Sequence, residues 1–103
     1  MFILFRCSAG GNHGWGNIKR LELIFRALKT KYKFRYKFLI ESNFEVKKYL
    51  KSKKLSFISV NKKNEELILK KIGFVDLSIL ELLHCSKEIQ NKYVKISNRL
   101  IIL

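Results

Sequence analysis

The amino-acid sequence predicts an α/β domain with an open parallel sheet of about five strands and helices on both faces. Three observations support this prediction. Short, bulky apolar runs without polar alternation are typical of strands that are covered on both faces. These runs alternate with amphipathic segments in which apolar residues recur every three or four positions. Four of the five glycines fall within Gly10 to Gly16, between the first apolar run and the first amphipathic segment.

The first strand and the first helix are predicted on either side of these glycines. Phe2 to Phe5 is a run of four bulky residues, which favours a central strand. From Asn17 the apolar residues occupy one face of a helix and charged residues the other. We expect this helix to run to about Tyr32, with Asn17 as its N-cap, because an asparagine side-chain carbonyl can accept from the first free amides.

A second strand and helix follow. Lys33 to Ile40 alternates basic and aromatic residues before two aliphatic ones, which predicts a strand with a basic exposed face and a buried end. Asn43 is placed to cap a short helix. The apolar side of that helix comprises Phe44, Val46, Tyr49 and Leu50.

The second half of the chain continues the alternation. Leu55 to Val60 predicts a third strand, and Asn61 to Ile72 predicts a helix with glutamates near its start and Gly73 as its C-cap. Phe74 to Leu80 favours a fourth strand, with a helix over Leu77 to Leu83 as the alternative. Right-handed crossovers between such strands give a Rossmann-like sheet.

The last helix and strand complete the predicted domain. Cys85, Ile89, Tyr93 and Ile96 mark one face of a helix. Leu100 to Leu103 predicts a final apolar strand that we expect to be buried. Because no turn or polar tail follows it, we expect residues 1–103 to form one domain of a truncated chain.

The glycine-rich loop is the predicted binding site. Ligands of open parallel sheets bind at the carboxyl ends of the strands, and this loop leaves the sheet at that edge. Glycine permits positive φ and close approach to a ligand, and the helix that follows offers free N–H groups to an anion. The candidate binding residues are Arg6, Gly14, Trp15, Gly16 and Arg20.

Each of these residues also has an interpretation without a ligand. The glycines can simply form a βα turn, Arg20 can be a surface cation or a clamp on the loop, and Trp15 can anchor the loop rather than cover a ligand. The loop is neither a dinucleotide fingerprint, because Lys19 stands where a third glycine is needed, nor a Walker loop.

The strong positive charge suggests polyanions as partners. The formal net charge is +14, and ten of the cations lie between Lys29 and Lys54. Such a field attracts nucleic acid without sequence preference. An alternative function is therefore a small basic nucleic-acid-binding module that uses this region with Tyr32, Tyr36 and Phe38. We favour a compositional origin of the charge and expect only non-specific binding.

Other classes of site are not predicted. Cys7 and Cys85 lack partners at metal-ligand spacing, so we expect two free thiols, no metal and no cofactor. His84 lies next to Cys85, but adjacent residues of a helix point in different directions. No apolar run approaches the roughly 18 residues of a membrane span, and the N-terminus lacks the pattern of a signal peptide. We therefore expect a cytoplasmic protein.

Leu4 to Arg6, Gly14 to Leu21 and Leu23 to Leu28 together resemble the start of the nucleotide-sugar hydrolases of pseudaminic acid biosynthesis and the related spore coat polysaccharide biosynthesis protein G. The resemblance is strongest over residues 3–28 and continues in element order to Leu103. It implies the N-terminal half of a glycosyltransferase-B-type fold, in which two Rossmann-like domains form the enzyme and the second holds most of the nucleotide.

The resemblance also suggests catalytic residues. The family motif is Gly-x-Gly-His-x-x-Arg, in which the histidine is the proposed catalytic base. This chain matches it with Gly14, Gly16 and Arg20 but has Asn17 in place of the histidine. An amide does not take up a proton near neutral pH, so Asn17 can only orient a water or a sugar hydroxyl. His13, in the same loop, is a second candidate base, with an exposed histidine of no role as the alternative.

The function that the resemblance implies is that of a UDP-sugar hydrolase or glycosyltransferase-like protein of surface polysaccharide or nonulosonic acid biosynthesis. Its substrate would be a nucleotide sugar. We expect the chain to be inactive alone and to need a missing or separately encoded C-terminal nucleotide-binding domain. Besides the nucleic-acid-binding module, a non-catalytic remnant that needs a partner subunit is an alternative.

Overall fold

Five strands alternate with four helices in the computed structural model, which describes residues 1–9, 14–82 and 85–103. The strands are β1 (Phe2–Ala9), β2 (Arg35–Ser42), β3 (Phe57–Ser59), β4 (Val75–Glu81) and β5 (Ser97–Ile102). The helices are α1 (Gly16–Lys31), α2 (Phe44–Ser52), α3 (Glu65–Ile72) and α4 (Lys87–Ile96). All neighbouring strands are parallel, in the order β3-β2-β1-β4-β5. The predicted α/β class and open Rossmann-like sheet are therefore confirmed.

Side chains of the central strand alternate between two apolar cores, one on each face of the sheet. Phe5 points toward α1 and α2, where its ring stacks on Phe38 at 4.9 Å and meets Phe25 edge-on at 5.6 Å. Leu4 points the other way and packs in the core that includes Leu69 of α3 and Tyr93 of α4. We call these the α1/α2 face and the α3/α4 face. Because β1 is covered on both sides, its run lacks the polar alternation of a half-exposed strand.

Two predicted helix caps agree with the structure, but the predicted starts of α1 and α3 do not. α3 begins at Glu65 and not at Asn61, because the Asn61 side chain accepts from the amides of Lys63 and Asn64 in a turn that precedes the helix. Asn43 caps α2, and its side chain accepts from the amide of Val46 at 3.1 Å. Gly73 ends α3 with a φ of 80°. Prediction of Asn17 as a cap was wrong, because α1 begins one residue earlier at Gly16. Asn17 is already helical, and its side chain bonds to the preceding strand instead.

The fourth and fifth strands settle two further expectations. Val75–Glu81 is a strand, so the alternative of a helix over Leu77 to Leu83 is wrong for the part of it that the structure describes. β5 was expected to be buried, and this was wrong: Ile101 is 45% and Ile102 43% exposed. β5 lies at the edge of the sheet and pairs with β4. An edge strand is covered less completely than a central one, which explains the exposure.

None of the helices in the described ranges has both the length and the hydrophobicity that a membrane crossing requires.

Candidate functional site at the carboxyl edge of the sheet

The strand order reverses between β1 and β4, which places a topological switch point at the carboxyl ends of these two strands. From β1 the chain moves outward to β2 and β3, and it then returns to place β4 on the other side of β1. Open α/β sheets bind ligands at such a point because the connections on its two sides diverge and leave a crevice. The glycine-rich loop follows Ala9, the last residue of β1, and therefore leaves the sheet here.

Two buried polar atoms lie at this edge, one on each side of β1. Ser42 ends β2 and Glu81 ends β4. Ser42 Oγ and Glu81 Oε2 are both buried, and neither has a hydrogen-bond partner among the described residues. Strand alternation directs both side chains to the α1/α2 face, with Phe38 and Ile79 respectively. Buried polar groups almost always have partners, so two such atoms that flank one loop point to a site.

Arg20 is tied to this edge by an ion pair. Its Nη1 donates to Glu81 Oε1 at 2.8 Å, while the arginine side chain is 59% exposed and the glutamate side chain 6%. The carboxylate therefore has one neutralised oxygen and one that is buried and unpartnered within the described residues. This contact fits the interpretation of Arg20 as a clamp and leaves its role toward a ligand as a prediction.

Asn17 fastens the start of α1 to the end of β1. Its Nδ2 donates to the backbone carbonyl of Ser8 at 3.1 Å. The amide group is thus engaged in a structural contact, and it can position α1 without taking part in proton transfer.

Within the described ranges, the residues at the start of α1 leave the N-terminus of this helix accessible to a ligand. Gly14 has a φ of 70°, which a side chain disfavours. A Cβ at Gly16 would meet no atom of the described residues within 4 Å. Among the described residues no side chain caps α1, and the first turn of this helix contains no acidic residue. Trp15 packs edge-on against Tyr49 of α2 at 5.5 Å, which favours its interpretation as an anchor.

Arg6 lies on the α3/α4 face and not with α1. The residue is 2% exposed, and its Nε donates to Glu65 Oε2 at 2.7 Å. Nη1 donates to the carbonyl of Cys7 at 2.7 Å. Tyr93 donates its hydroxyl to the same Glu65 oxygen at 2.5 Å. The arrangement is a buried cluster of three side chains from β1, α3 and α4.

Burial and the charge of Glu65 have opposite effects on the pKa of Arg6 but the same effect on the pKa of Tyr93. Burial by itself lowers the pKa of Arg6, but the hydrogen bond and the charge of Glu65 offset this, and the pKa is raised. Burial, assisted by the charge of Glu65, raises the pKa of Tyr93. The cluster therefore holds a charged guanidinium and a neutral phenol at neutral pH.

A cavity of about 620 Å³ opens above this cluster at the carboxyl edge. Arg6, Ser8 and Glu65 line its interior, and the first turn of α4 contributes Glu88 and Ile89. The remaining lining residues are Glu41, Lys62, Leu82, Ser86 and Lys92. Three cations and three carboxylates are among these ten side chains, so their formal charges cancel. The volume is within the range of small-molecule sites.

The sequence predicted neither the Arg6 cluster nor Glu81. Arg6 was expected to support the glycine loop because it is close to it in sequence. Strand alternation could have shown that Arg6 faces away from Phe5 and Cys7. Its pairing with Glu65, by contrast, depends on the packing of α3 and cannot be read from spacing.

The two cysteines and the described acidic groups do not form a reactive or metal-binding centre. Burial raises the pKa of the Cys7 thiol to about 12, and it raises that of Cys85 as well. Both thiols are therefore protonated at neutral pH. Within the described ranges no group of three or more His, Cys, Asp or Glu side chains could hold a metal. The predictions for Gly10, Gly11, Asn12, His13 and His84 lie outside the described residues.

Of the three aromatics that a nucleic-acid-binding role of the basic region Lys29 to Lys54 invokes, two belong to the core. Phe38 is fully buried, and Tyr36 packs against the same core at a ring distance of 4.4 Å from Phe25. Tyr32 is 53% exposed. A platform for stacked bases needs several exposed rings, so the interpretation of these aromatics as core residues is supported.

Comparison with protein-family models, with curated proteins and with solved structures finds no match to this chain. Fold and site together define an α/β domain with a candidate ligand site at the switch point of a parallel sheet. The resemblance over residues 3–28 stays a prediction.

Proposed function

We propose that this domain binds a nucleotide sugar at the carboxyl edge of its sheet, as the N-terminal domain of a UDP-sugar hydrolase or glycosyltransferase-like protein of surface polysaccharide or nonulosonic acid biosynthesis. The observation that carries the proposal is the pair of buried, unpartnered atoms within the described residues, Ser42 Oγ and Glu81 Oε2. They flank the strand from which the glycine-rich loop leaves.

The two atoms suit the hydroxyl groups of a ribose or a sugar. A carboxylate oxygen accepts hydrogen bonds, whereas a serine hydroxyl both donates and accepts. A ligand hydroxyl can therefore satisfy either atom. In a site with little water, such bonds to a charged group are stronger than bonds between neutral groups.

The start of α1 suits the diphosphate. α1 is a helix of 16 residues whose first turn bears no acidic side chain. Its free N–H groups and its dipole favour an anion, and Lys19 and Arg20 add positive charge. The other helices carry acidic residues in their first turns, Glu45 in α2 and Glu88 in α4 among them.

In this proposal Asn17 positions and does not catalyse. Its bond to the Ser8 carbonyl keeps the start of α1 against β1. Hydrolysis at the anomeric carbon also needs a base for the attacking water, and an amide such as that of Asn17 cannot act in this way. The nucleotide base and the second wall of the cleft would come from another domain or subunit, as the resemblance implies.

Substitution of Ser42 by alanine tests the proposal. Because the Ser42 hydroxyl has no partner among the described residues, its loss should leave the free energy of unfolding unchanged or raise it. The same loss should weaken the binding of UDP-N-acetylglucosamine about fivefold or more. Ser59→Ala, in the neighbouring β3, is the matched control and should bind as the wild type does. Isothermal titration calorimetry measures the affinity of both variants for UDP-N-acetylglucosamine. Equal affinity of the two variants, or absence of wild-type binding, would contradict the proposal.

A second pair of variants separates a local from a general effect of charge. Arg20 and Arg26 lie on the same helix with side chains that are 59% and 51% exposed, and each pairs with a glutamate. Arg20→Met should lower the affinity for UDP about tenfold, because it removes a cation next to the helix start. Arg26→Met, two turns further along, should change it less than twofold at physiological salt, where distant charges are screened.

The net charge of +14 supports one competing function, non-specific binding of nucleic acid. Titration of the protein with random single-stranded DNA at increasing salt distinguishes the two. Submicromolar affinity that persists at physiological salt would favour a nucleic-acid-binding module. Weak binding that disappears under these conditions is what a general surplus of charge produces.

A further inference from the structure

The cavity on the α3/α4 face has the chemistry of a site for an uncharged polyhydroxyl ligand. We propose that it binds the sugar ring of the ligand, an uncharged hexose or N-acetylhexosamine, while the phosphates lie at the start of α1. The assignment to a nucleotide sugar rests on the proposed function. The cavity itself is lined by residues other than Ser42 and Glu81.

The interior of the cavity is rigid before any ligand arrives. Arg6 is 2% exposed, and its guanidinium is fixed by bonds of 2.7 Å to both Glu65 and the Cys7 carbonyl. The Tyr93 hydroxyl donates to Glu65 Oε2 at 2.5 Å and fixes the carboxylate from the side of α4. Polar groups that are held in place lose little entropy when a ligand binds, and preorganisation of this kind favours affinity.

The charges of the lining favour a neutral ligand over an anion. Arg6, Lys62 and Lys92 are balanced by three carboxylates, of which Glu65 and Glu41 pair with Arg6 at 2.7 Å and 3.5 Å. A phosphate that approached Arg6 would meet both of these carboxylates, and like charges repel. A sugar hydroxyl instead donates to a carboxylate and accepts from an ammonium or a guanidinium.

The remaining lining groups also suit a sugar. The Ser8 hydroxyl lies 3.3 Å from Glu41 Oε1 and 3.4 Å from Arg6 Nη1, so a hydroxyl group is placed between an acceptor and a donor. Leu82 and Ile89 contribute apolar surface. Sites for small molecules commonly combine an apolar wall with a few fixed polar groups.

Ser8 connects this cavity with the start of α1. Its hydroxyl lines the cavity, whereas its carbonyl accepts the Asn17 side-chain amide at 3.1 Å. The two faces therefore meet at one residue at the end of β1. A ligand that crosses the carboxyl edge at this residue can place its phosphates on one side and its sugar on the other.

Nuclear magnetic resonance with the ¹⁵N-labelled full chain tests the inference. We expect millimolar N-acetylglucosamine to shift the amide signals of Ser8, Glu41 and Ile89, and inorganic phosphate to leave them unchanged. Glu88→Gln should weaken the sugar binding about threefold or more, because it replaces a charge-assisted bond with a neutral one. Glu45→Gln is the matched control, since both glutamates are exposed and lie in the first turn of a helix. Glu41→Gln gives a second, independent test at the interior of the cavity.

The possible results separate this inference from the proposed function. If UDP shifts the signals of Gly16 and Asn17 but N-acetylglucosamine shifts none at the cavity, the sugar site is wrong and the proposed function stands. If the sugar binds at the cavity but UDP does not bind at α1, the proposed function is wrong and the cavity site stands. Phosphate binding in the cavity, or equal sugar affinity of Glu88→Gln and Glu45→Gln, would overturn the inference.

Discussion

Tyr93 of α4 donates a hydrogen bond of 2.5 Å to the carboxylate of Glu65 at the start of α3. The same carboxylate oxygen accepts from Arg6 of β1 at 2.7 Å. One buried oxygen thus joins the central strand to the two helices that cover this face. Burial of an ion pair costs desolvation energy, so its removal has effects that depend on which partner is lost.

Tyr93→Phe removes the hydroxyl and keeps the ring. Because the buried carboxylate of Glu65 then loses a donor, we expect the free energy of unfolding to fall by about 2 kcal/mol. Tyr32→Phe removes a hydroxyl from a side chain that is 53% exposed and should change stability by less than about 0.5 kcal/mol. Urea unfolding measures both. A loss at Tyr93 no larger than that at Tyr32 would mean that the buried bond is not made in solution.

Glu65→Gln leaves the buried guanidinium of Arg6 without its main counter-charge. We expect a loss of about 3 kcal/mol in the free energy of unfolding, as is typical when one partner of a buried pair is removed. Glu66 is the matched control, because it lies in the same first turn of α3 but is exposed. Glu66→Gln loses the same charge near the helix dipole and should cost about 0.5 kcal/mol. Similar losses in the two variants would contradict the buried ion pair.

Stability should fall at alkaline pH because of Cys7. Burial raises the pKa of this thiol from 9.0 to about 12. Between these values the unfolded chain has lost the proton and the folded chain keeps it, so deprotonation favours unfolding as the pH rises. The contribution is fully present below pH 9.0 and decreases by up to about 1.4 kcal/mol per pH unit above it.

The control for this pH dependence is Cys7→Ala, whose overall stability will be lower but whose alkaline slope should be shallower. Unfolding by urea at a series of pH values from neutral to 10.5 gives both slopes. Parallel slopes for the wild type and the variant would show that the Cys7 thiol titrates in the folded protein as it does in the unfolded chain.

Gly73→Ala should be destabilising for a backbone reason. Gly73 has a φ of 80° and a ψ of −157°, a region that only glycine occupies with ease. We expect a loss of about 2 kcal/mol in the free energy of unfolding. Gly16→Ala is the control, because this residue is helical and an added Cβ meets no atom within 4 Å in the part of the chain that the structure describes. It should be neutral or slightly stabilising, and equal effects of the two substitutions would contradict the assigned conformation.

The local pattern of the sequence was sufficient for the order of strands and helices and for several of their ends. Asn43 and Gly73 were predicted as caps, and both are confirmed. These features depend on contacts between neighbours in the chain, so they can be read from spacing. Asn17 shows the limit, because its side chain bonds to the Ser8 carbonyl, which belongs to another element.

The candidate site was predictable only in part. The glycine-rich loop was expected at the carboxyl edge, and the strand order places the end of β1 at the switch point. Glu81 was not expected, because no pattern in the sequence shows that β4 lies next to β1. Exposure of Ile101 and Ile102 was missed for a related reason, since an apolar run does not reveal whether its strand is central or at an edge.

The sequence by itself determined the α/β class, the parallel sheet and the position of a glycine-rich turn before a long helix, because hydrophobic period and turn chemistry are local properties of the chain. The tertiary structure decided which charged side chains meet. Arg6 pairs with Glu65 across 59 positions and Arg20 with Glu81 across 61. The physical reason is that strand order and helix packing set these distances, and both follow from how the whole chain buries its two apolar cores.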